Sequence, residues 1–168
     1  PDVAVGMAGA PGHQAIALNR DGSIRDRPRG GYGNHPTMGG FDQMTARLGG
    51  FWDSMLGEGR RWWITANSDS HVHYTEGGYD FWPGEYSKTY VLAEKTADSI
   101  IQGLRAGRIF VTTGDLISEL YVTAAAGSQS AMIGGELTVA PGSAVEVIIK
   151  VRDPQAANSR GDRPAVRR

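Results

Sequence analysis

The amino-acid sequence predicts an α/β fold for residues 1–114, followed by a small antiparallel β module over residues 115–152. An apolar, β-branched run at 61–66 ends abruptly in polar residues, as a buried strand does. Residues 88–113 show a strand, helix, strand order that is typical of a parallel crossover. Beyond residue 115 only short strand patterns follow, and we expect the polar, basic tail 153–168 to be disordered.

The first region begins with a short apolar stretch at 3–7, which predicts a strand, and a glycine-rich turn then leads to Pro11-Gly12-His13. An imidazole that follows a strand and a turn can serve as a ligand at a sheet edge. A surface turn with an incidental histidine explains the same residues, and the residues alone leave both interpretations open.

Residues 19–40 have neither helical nor strand periodicity and predict a long irregular loop. Loops of this length in compact domains are functional or disordered. The four arginines in this loop either contact an anionic substrate or form an ordinary solvated surface. His35 precedes a proline, and we do not expect it to be a ligand.

Two short helices, at 41–48 and 51–58, are predicted on either side of Gly49-Gly50. The second helix has an apolar stripe, which we expect to lie in the core. The strand 62–66 follows, and its composition predicts burial on both faces.

This strand leads directly into Asn67-Ser68-Asp69-Ser70-His71. A carboxylate and an imidazole two residues apart can point the same way at the carboxyl edge of a sheet, where ligands bind in α/β folds. The two groups form a ligand set that suits zinc, manganese or iron. The alternative is a turn in which Asp69 caps the next segment and His71 is solvated.

A loop at 72–87 carries five aromatic residues, which either line a substrate pocket or pack the loop onto the core. A strand at 88–93 comes next. Thr96 is then predicted to cap a helix that runs through Ala106, with Gly107 as its stop. Its apolar residues Ile100, Ile101 and Leu104 are expected to face inward. Residues 108–113 return as a strand.

The β module is predicted to contain short strands at 116–123, 136–139 and 145–151, separated by Gly134-Gly135 and Pro141-Gly142. The last strand alternates clearly, with Val145, Val147, Ile149 and Val151 on one face.

Composition limits the function classes. The 168 residues are 40% hydrophobic and 21% charged, with a formal net charge of -1, so that nucleic acid and membrane surfaces are not expected partners. The chain has no cysteine, so any metal site must use oxygen and nitrogen ligands. No apolar run approaches the roughly 18 residues of a transmembrane helix, and we expect a soluble protein, cytoplasmic or exported. The oligomeric state stays open.

Four stretches occur in order along the chain: Ala10-Pro11-Gly12-His13-Gln14, Asn67-Ser68-Asp69-Ser70-His71, Phe81-Trp82-Pro83-Gly84-Glu85-Tyr86-Ser87-Lys88-Thr89-Tyr90 and Leu104-Arg105-Ala106-Gly107-Arg108-Ile109-Phe110-Val111-Thr112-Thr113-Gly114. Together they resemble the PHP family of metallohydrolases, which includes histidinol phosphatases and polymerase-associated phosphoesterase domains. The likeness points to the branch of carbaryl-type hydrolases and two-domain phosphoesterases. It implies that residues 1–114 are the C-terminal part of a distorted (β/α)7 barrel.

The same resemblance implies a metal-dependent hydrolase that acts on phosphate esters through metal-activated water, with a carbamate or amide substrate as the variant. The implied cofactors are divalent ions of zinc, manganese or iron. The implied partner is a small, anionic substrate. The implied metal ligands are Asp69, His71 and His13, and the residues implied to contact substrate or support the ligands are His73, Glu85, Tyr86 and Trp82.

The chain also departs from the family pattern. Its first half has no His-x-His pair, and Ala8 stands where relatives often have an acidic residue. It opens on Pro1 without an initiator methionine, from which we expect that the front of a longer protein is missing. The alternative function is therefore a non-catalytic remnant or binding module without the full metal cluster.

Overall fold

The structure, a computed structural model, describes residues 4–11, 41–67, 87–113 and 116–154. In chain order these residues form β1 (Gly6–Pro11), α1 (Gln43–Ala46), α2 (Phe51–Gly57), β2 (Trp63–Asn67), β3 (Ser87–Val91), α3 (Ala97–Arg105), β4 (Ile109–Thr113), β5 (Glu119–Ala126), β6 (Gln129–Met132) and β7 (Glu146–Arg152). None of the helices within these ranges is long and apolar enough to cross a bilayer.

The strands contradict the expected barrel. In the described part of the chain they form three small sheets, with the orders β1-β2, β3-β4 and β6-β5-β7. A barrel requires each strand to be hydrogen-bonded to two neighbours until the sheet closes on itself. Among the described residues the two-stranded sheets have no further strand on either side, so the prediction of part of a (β/α)7 barrel is wrong.

The predicted parallel crossover is also wrong. The Leu92 amide donates to the Arg108 carbonyl at 2.9 Å, and the rings of Tyr90 and Phe110 stack with their centroids 4.6 Å apart. Residue numbers rise along β3 while they fall along β4, so the two strands are antiparallel. An added Cβ at Gly103 would come within 2.6 Å of the Val91 side chain, so α3 packs closely against the end of β3. β4 starts beside that end, where the Leu92 amide meets the Arg108 carbonyl.

The contacts divide the chain into two compact units. The first contains the described residues 4–11, 41–67, 87–89 and 111–113, and the second contains 90–110 and 116–154. Each unit is described separately below.

In the first unit, β1 and β2 are parallel, with Gly6 opposite Trp63 and Pro11 opposite Asn67. The register shifts between Ala8 and Ala10, where β1 contains a bulge. Ala10 is the only fully buried apolar residue among those described.

Burial of β2 and α2 differs from the prediction. β2 is half-buried along residues 63–66, and burial on both faces is therefore wrong. The predicted core stripe of this helix consists of Phe51, Trp52, Met55 and Leu56, and of these Phe51 and Leu56 are exposed. The second helix is held instead by a hydrogen bond from the Trp52 indole to the Trp62 carbonyl, at 2.9 Å.

In the second unit, α3 has the predicted ends. Thr96 is its N-cap and accepts a hydrogen bond from the Ser99 amide at 3.2 Å, and Gly107 follows the helix with a φ of 70°. This left-handed conformation is the one that favours glycine after a helix. The predicted ends of this helix are confirmed, but the inward orientation expected for its isoleucines is wrong, because Ile100 and Ile101 are 41% and 48% exposed.

The sheet of the second unit has β5 at its centre, antiparallel to both β6 and β7. The predicted strand 136–139 is not a strand, whereas Gln129–Met132 forms one that the sequence interpretation missed. This segment pairs because Gly127, with a φ of 59°, starts a two-residue turn of the kind that joins hairpin strands.

Candidate functional site

The candidate site begins at the carboxyl ends of β1 and β2. The two strands run in the same direction, and their last pairs are Ala10 with Ala66 and Pro11 with Asn67. They therefore end at one edge of the sheet. In the sequence, Gly12-His13 follows β1 and Ser68-Asp69-Ser70-His71 follows β2.

Two hydroxyl groups of β3 form hydrogen bonds with the end of β2. The Thr89 Oγ1 accepts a hydrogen bond from the Ala66 amide at 2.9 Å and donates one to the Ala66 carbonyl at 3.0 Å. The Ser87 Oγ donates to the Asn67 carbonyl at 3.1 Å. Side-chain hydroxyls thus take the place of backbone hydrogen-bond partners here. The backbone groups of Ala66 and Asn67, which precede the Ser-Asp-Ser-His segment, are thereby fixed.

The bulge of β1 is held by the start of α1. The Gly9 carbonyl accepts a hydrogen bond from the Asp42 amide at 2.9 Å. The buried Asp42 carboxylate in turn accepts one from the Met44 amide at 2.8 Å, as an N-cap does. A Cβ at Gly9 would come within 2.9 Å of the Thr45 hydroxyl, so only glycine allows this helix to approach so closely.

Two polar groups near this region are buried without a hydrogen-bond partner among the described residues. They are the Thr45 Oγ1 and the Trp62 Nε1. A buried, unpaired hydroxyl or indole N–H costs free energy. Neither group belongs to the imidazole and carboxylate ligand set that the sequence predicts.

The predicted site residues lie outside the described residues. They are His13, Asp69, His71, His73, Trp82, Glu85 and Tyr86. The fourth histidine, His35, lies outside them too. Within the described ranges, no group of three acidic or histidine residues could hold a metal ion. The structure therefore places the strand ends from which the candidate ligands follow.

Sequence reasoning missed a pocket in the second unit. It has a volume of about 170 Å³ and is largely apolar. Its lining includes the stacked Tyr90 and Phe110, together with Leu120, Val122 and Met132. The alternation of apolar and polar residues in β5 could have indicated one apolar wall of this pocket. Nothing in the sequence indicated that residues of β3 and β4 form another wall.

Comparison of the chain with protein-family models, with curated proteins and with solved structures finds no match. The geometry of the strand ends and the chemistry of the residues that follow them are therefore the features that bear on function.

Proposed function

We propose that the chain binds a divalent metal ion through His13, Asp69 and His71, and that it is a metal-dependent hydrolase of phosphate esters. The single observation that carries this proposal is the parallel pair at Pro11 and Asn67. Paired strands lie roughly 4.8 Å apart. The segments that carry the three ligands thus start from adjacent points of one sheet edge.

The anchoring of these strand ends supports the proposal. Metal ligands need supporting contacts that orient them, and sites built on regular elements are better positioned than sites on loops alone. The hydrogen bonds of Thr89 and Ser87 to β2, and of Asp42 to β1, fix both starting points.

The donor chemistry also fits. Two imidazole nitrogens and a carboxylate are a common ligand set for zinc and are compatible with manganese and iron. When bound, the ion supplies activation of water near neutral pH and stabilisation of negative charge on a phosphoryl oxygen. His73, Trp82, Glu85 and Tyr86 follow β2 within 19 residues of its last residue, Asn67, and are the candidates for substrate contacts.

The likeness to PHP metallohydrolases supports phosphate esters as the substrate class, with a carbamate or amide as the variant. The proposal takes from this likeness the ligands and the reaction, and it does not depend on a barrel.

A specific observation favours the second candidate, a binding module without hydrolytic activity. Ala8 lies in β1 opposite Thr65, and the residues of β1 and β2 include no carboxylate or imidazole. Every proposed ligand therefore comes from the segments after the strands. Metal content separates the two candidates, because a two-metal hydrolase retains about two ions per chain and a binding module retains none.

The test is metal analysis of the purified protein after dialysis against manganese or zinc. We expect Asp69→Ala and His71→Ala to lower the metal content. His35→Ala is the matched control, because His35 is not a proposed ligand, and it should retain the metal content of the unmodified protein. Circular dichroism of all three variants should be unchanged, since the ligands lie outside the strands. Equal metal content in all four proteins would contradict the proposal.

Hydrolysis of a generic phosphate ester, measured with each metal in turn, then tests the activity. An active chain that loses its activity in Asp69→Ala supports the hydrolase. A chain that retains no metal and hydrolyses neither this ester nor a carbamate supports the binding module.

A further inference from the structure

The strand β7 (Glu146–Arg152) forms an edge of the three-stranded sheet in the second unit. Its inner edge pairs with β5 over seven consecutive residues without a register shift. None of the described strands pairs with its outer edge. A continuous, regular edge of this kind offers its N–H and C=O groups to another strand.

The side chains of β7 are exposed to a degree that is unusual for their type. On one face, Val147, Ile149 and Val151 have 57%, 62% and 57% of their surface accessible. Register places Leu120, Val122 and Ala124 of β5 beside them on the same face. Soluble proteins protect edge strands with proline, bulges or several charges, and β7 has only Lys150 within its apolar run.

The charges of β7 are complementary to those of a second, antiparallel β7. Its midpoint is Ile149. A two-fold axis through this residue pairs Ile149 with its own copy, Val147 with Val151, Ile148 with Lys150 and Glu146 with Arg152. Apolar side chains then meet on the face of Val147, Ile149 and Val151. On the other face an acidic residue lies opposite a basic one at each end, and Arg152 also pairs with Glu119 of its own chain at 2.7 Å. Opposite charges across a strand pair are favourable, and like charges are not.

We propose that β7 is a homodimerisation strand, and that its occupant is β7 of a second copy of this chain, paired antiparallel about Ile149. The result is a continuous six-stranded sheet with an isologous interface, in which the same residues of both copies form the contact. The proposal is independent of the metal site.

Cysteine cross-linking tests the register, because the natural chain contains no cysteine. Opposed residues in an antiparallel pair have Cα atoms about 4.5–5.5 Å apart, which is within disulfide range. We expect Ile149→Cys to form a disulfide-linked dimer under mild oxidation. Val147→Cys alone is the matched control, because in this register its own copy is four residues away, roughly 13 Å along the strand. A mixture of Val147→Cys and Val151→Cys should cross-link, although neither does so alone.

A charge exchange tests the interface without covalent chemistry. The unmodified 168-residue chain should be a dimer in sedimentation equilibrium, and Ile149→Lys should be a monomer with an unchanged circular dichroism spectrum. Ile149→Asp should likewise be a monomer, and mixing the two variants should restore a dimer. The proposal is overturned if the unmodified chain is a monomer. This holds whether the outer edge of β7 is covered by residues 155–168 or is uncovered. A dimer that persists in Ile149→Lys, or cross-links with equal efficiency at all three positions, also overturns it.

Discussion

The Thr89 side chain takes the place of a neighbouring strand for Ala66. Its Oγ1 accepts a hydrogen bond from the Ala66 amide at 2.9 Å and donates one to the Ala66 carbonyl at 3.0 Å. A single hydroxyl thereby satisfies both polar groups of a residue one position before the end of β2. The candidate ligands Asp69 and His71 follow that end directly in the sequence.

Thr89→Val should lower the free energy of unfolding by about 1–3 kcal/mol, because it leaves the amide and the carbonyl of Ala66 without this partner. Thr89→Ser is the control that keeps the hydroxyl, and it should lose less stability. Urea unfolding measures both. A loss in Thr89→Ser with none in Thr89→Val would mean that the methyl group of Thr89, and not its hydroxyl, matters here.

Gly9→Ala should destabilise the first unit by about 1–3 kcal/mol through overpacking. The added Cβ would lie 2.9 Å from the Thr45 Oγ1, 3.1 Å from the Thr45 Cγ2 and 3.2 Å from the Ile64 Cβ. Thr45→Ala removes two of these three contacts and also deletes a buried hydroxyl without a described partner. The double variant should therefore recover part of the loss. Strict additivity in a double-mutant cycle would show that Thr45 is not the obstacle.

Thr96→Ala should cost about 0.5–2 kcal/mol of stability, because it removes the acceptor for the Ser99 amide at the start of α3. Thr96→Asp is the control, since aspartate is also a good N-cap residue. Thermal unfolding of the two variants and the unmodified chain gives the comparison. A loss in Thr96→Asp as large as that in Thr96→Ala would argue against capping as the role of this side chain.

His13→Ala and His73→Ala should separate a metal ligand from a substrate contact. Loss of a ligand weakens metal binding by at least roughly tenfold, since even supporting residues have effects of that size. We therefore expect His13→Ala to lower the metal affinity, measured by titration with zinc. His73→Ala should retain the affinity and lower only the rate of ester hydrolysis. The reverse pattern would exchange the roles of the two histidines.

The local elements were largely predictable from the sequence. Thr96 and Gly107 mark the ends of α3 because a hydroxyl acceptor and a left-handed residue act within one turn of the helix. The run before Asn67 is a strand, as predicted from its β-branched and aromatic residues. The short hairpin strand Gln129–Met132 was missed because it depends on its turn more than on its composition.

The candidate site was predictable only in part. The Asp69 and His71 motif follows a strand, and this relation can be seen in the sequence. This strand pairs in parallel with β1, and the pair Pro11 and Asn67 brings together residues more than fifty positions apart in the sequence. No local pattern carries that information. The hydrogen bonds from the Thr89 and Ser87 side chains to the end of β2, where a third strand could have paired, likewise form only in the folded chain.

The sequence by itself therefore determined where most of the described helices and strands form, since caps, turns and periodicity act over a few neighbouring residues. Only the tertiary structure decided how the strands combine. The strand, helix, strand order of residues 88–113 allows either direction for β4, and the structure has the antiparallel one, with α3 packed against the end of β3 at Gly103 and Val91. Direction and partner depend on packing between distant segments, and for that reason three small open sheets replace the barrel that the local order suggested.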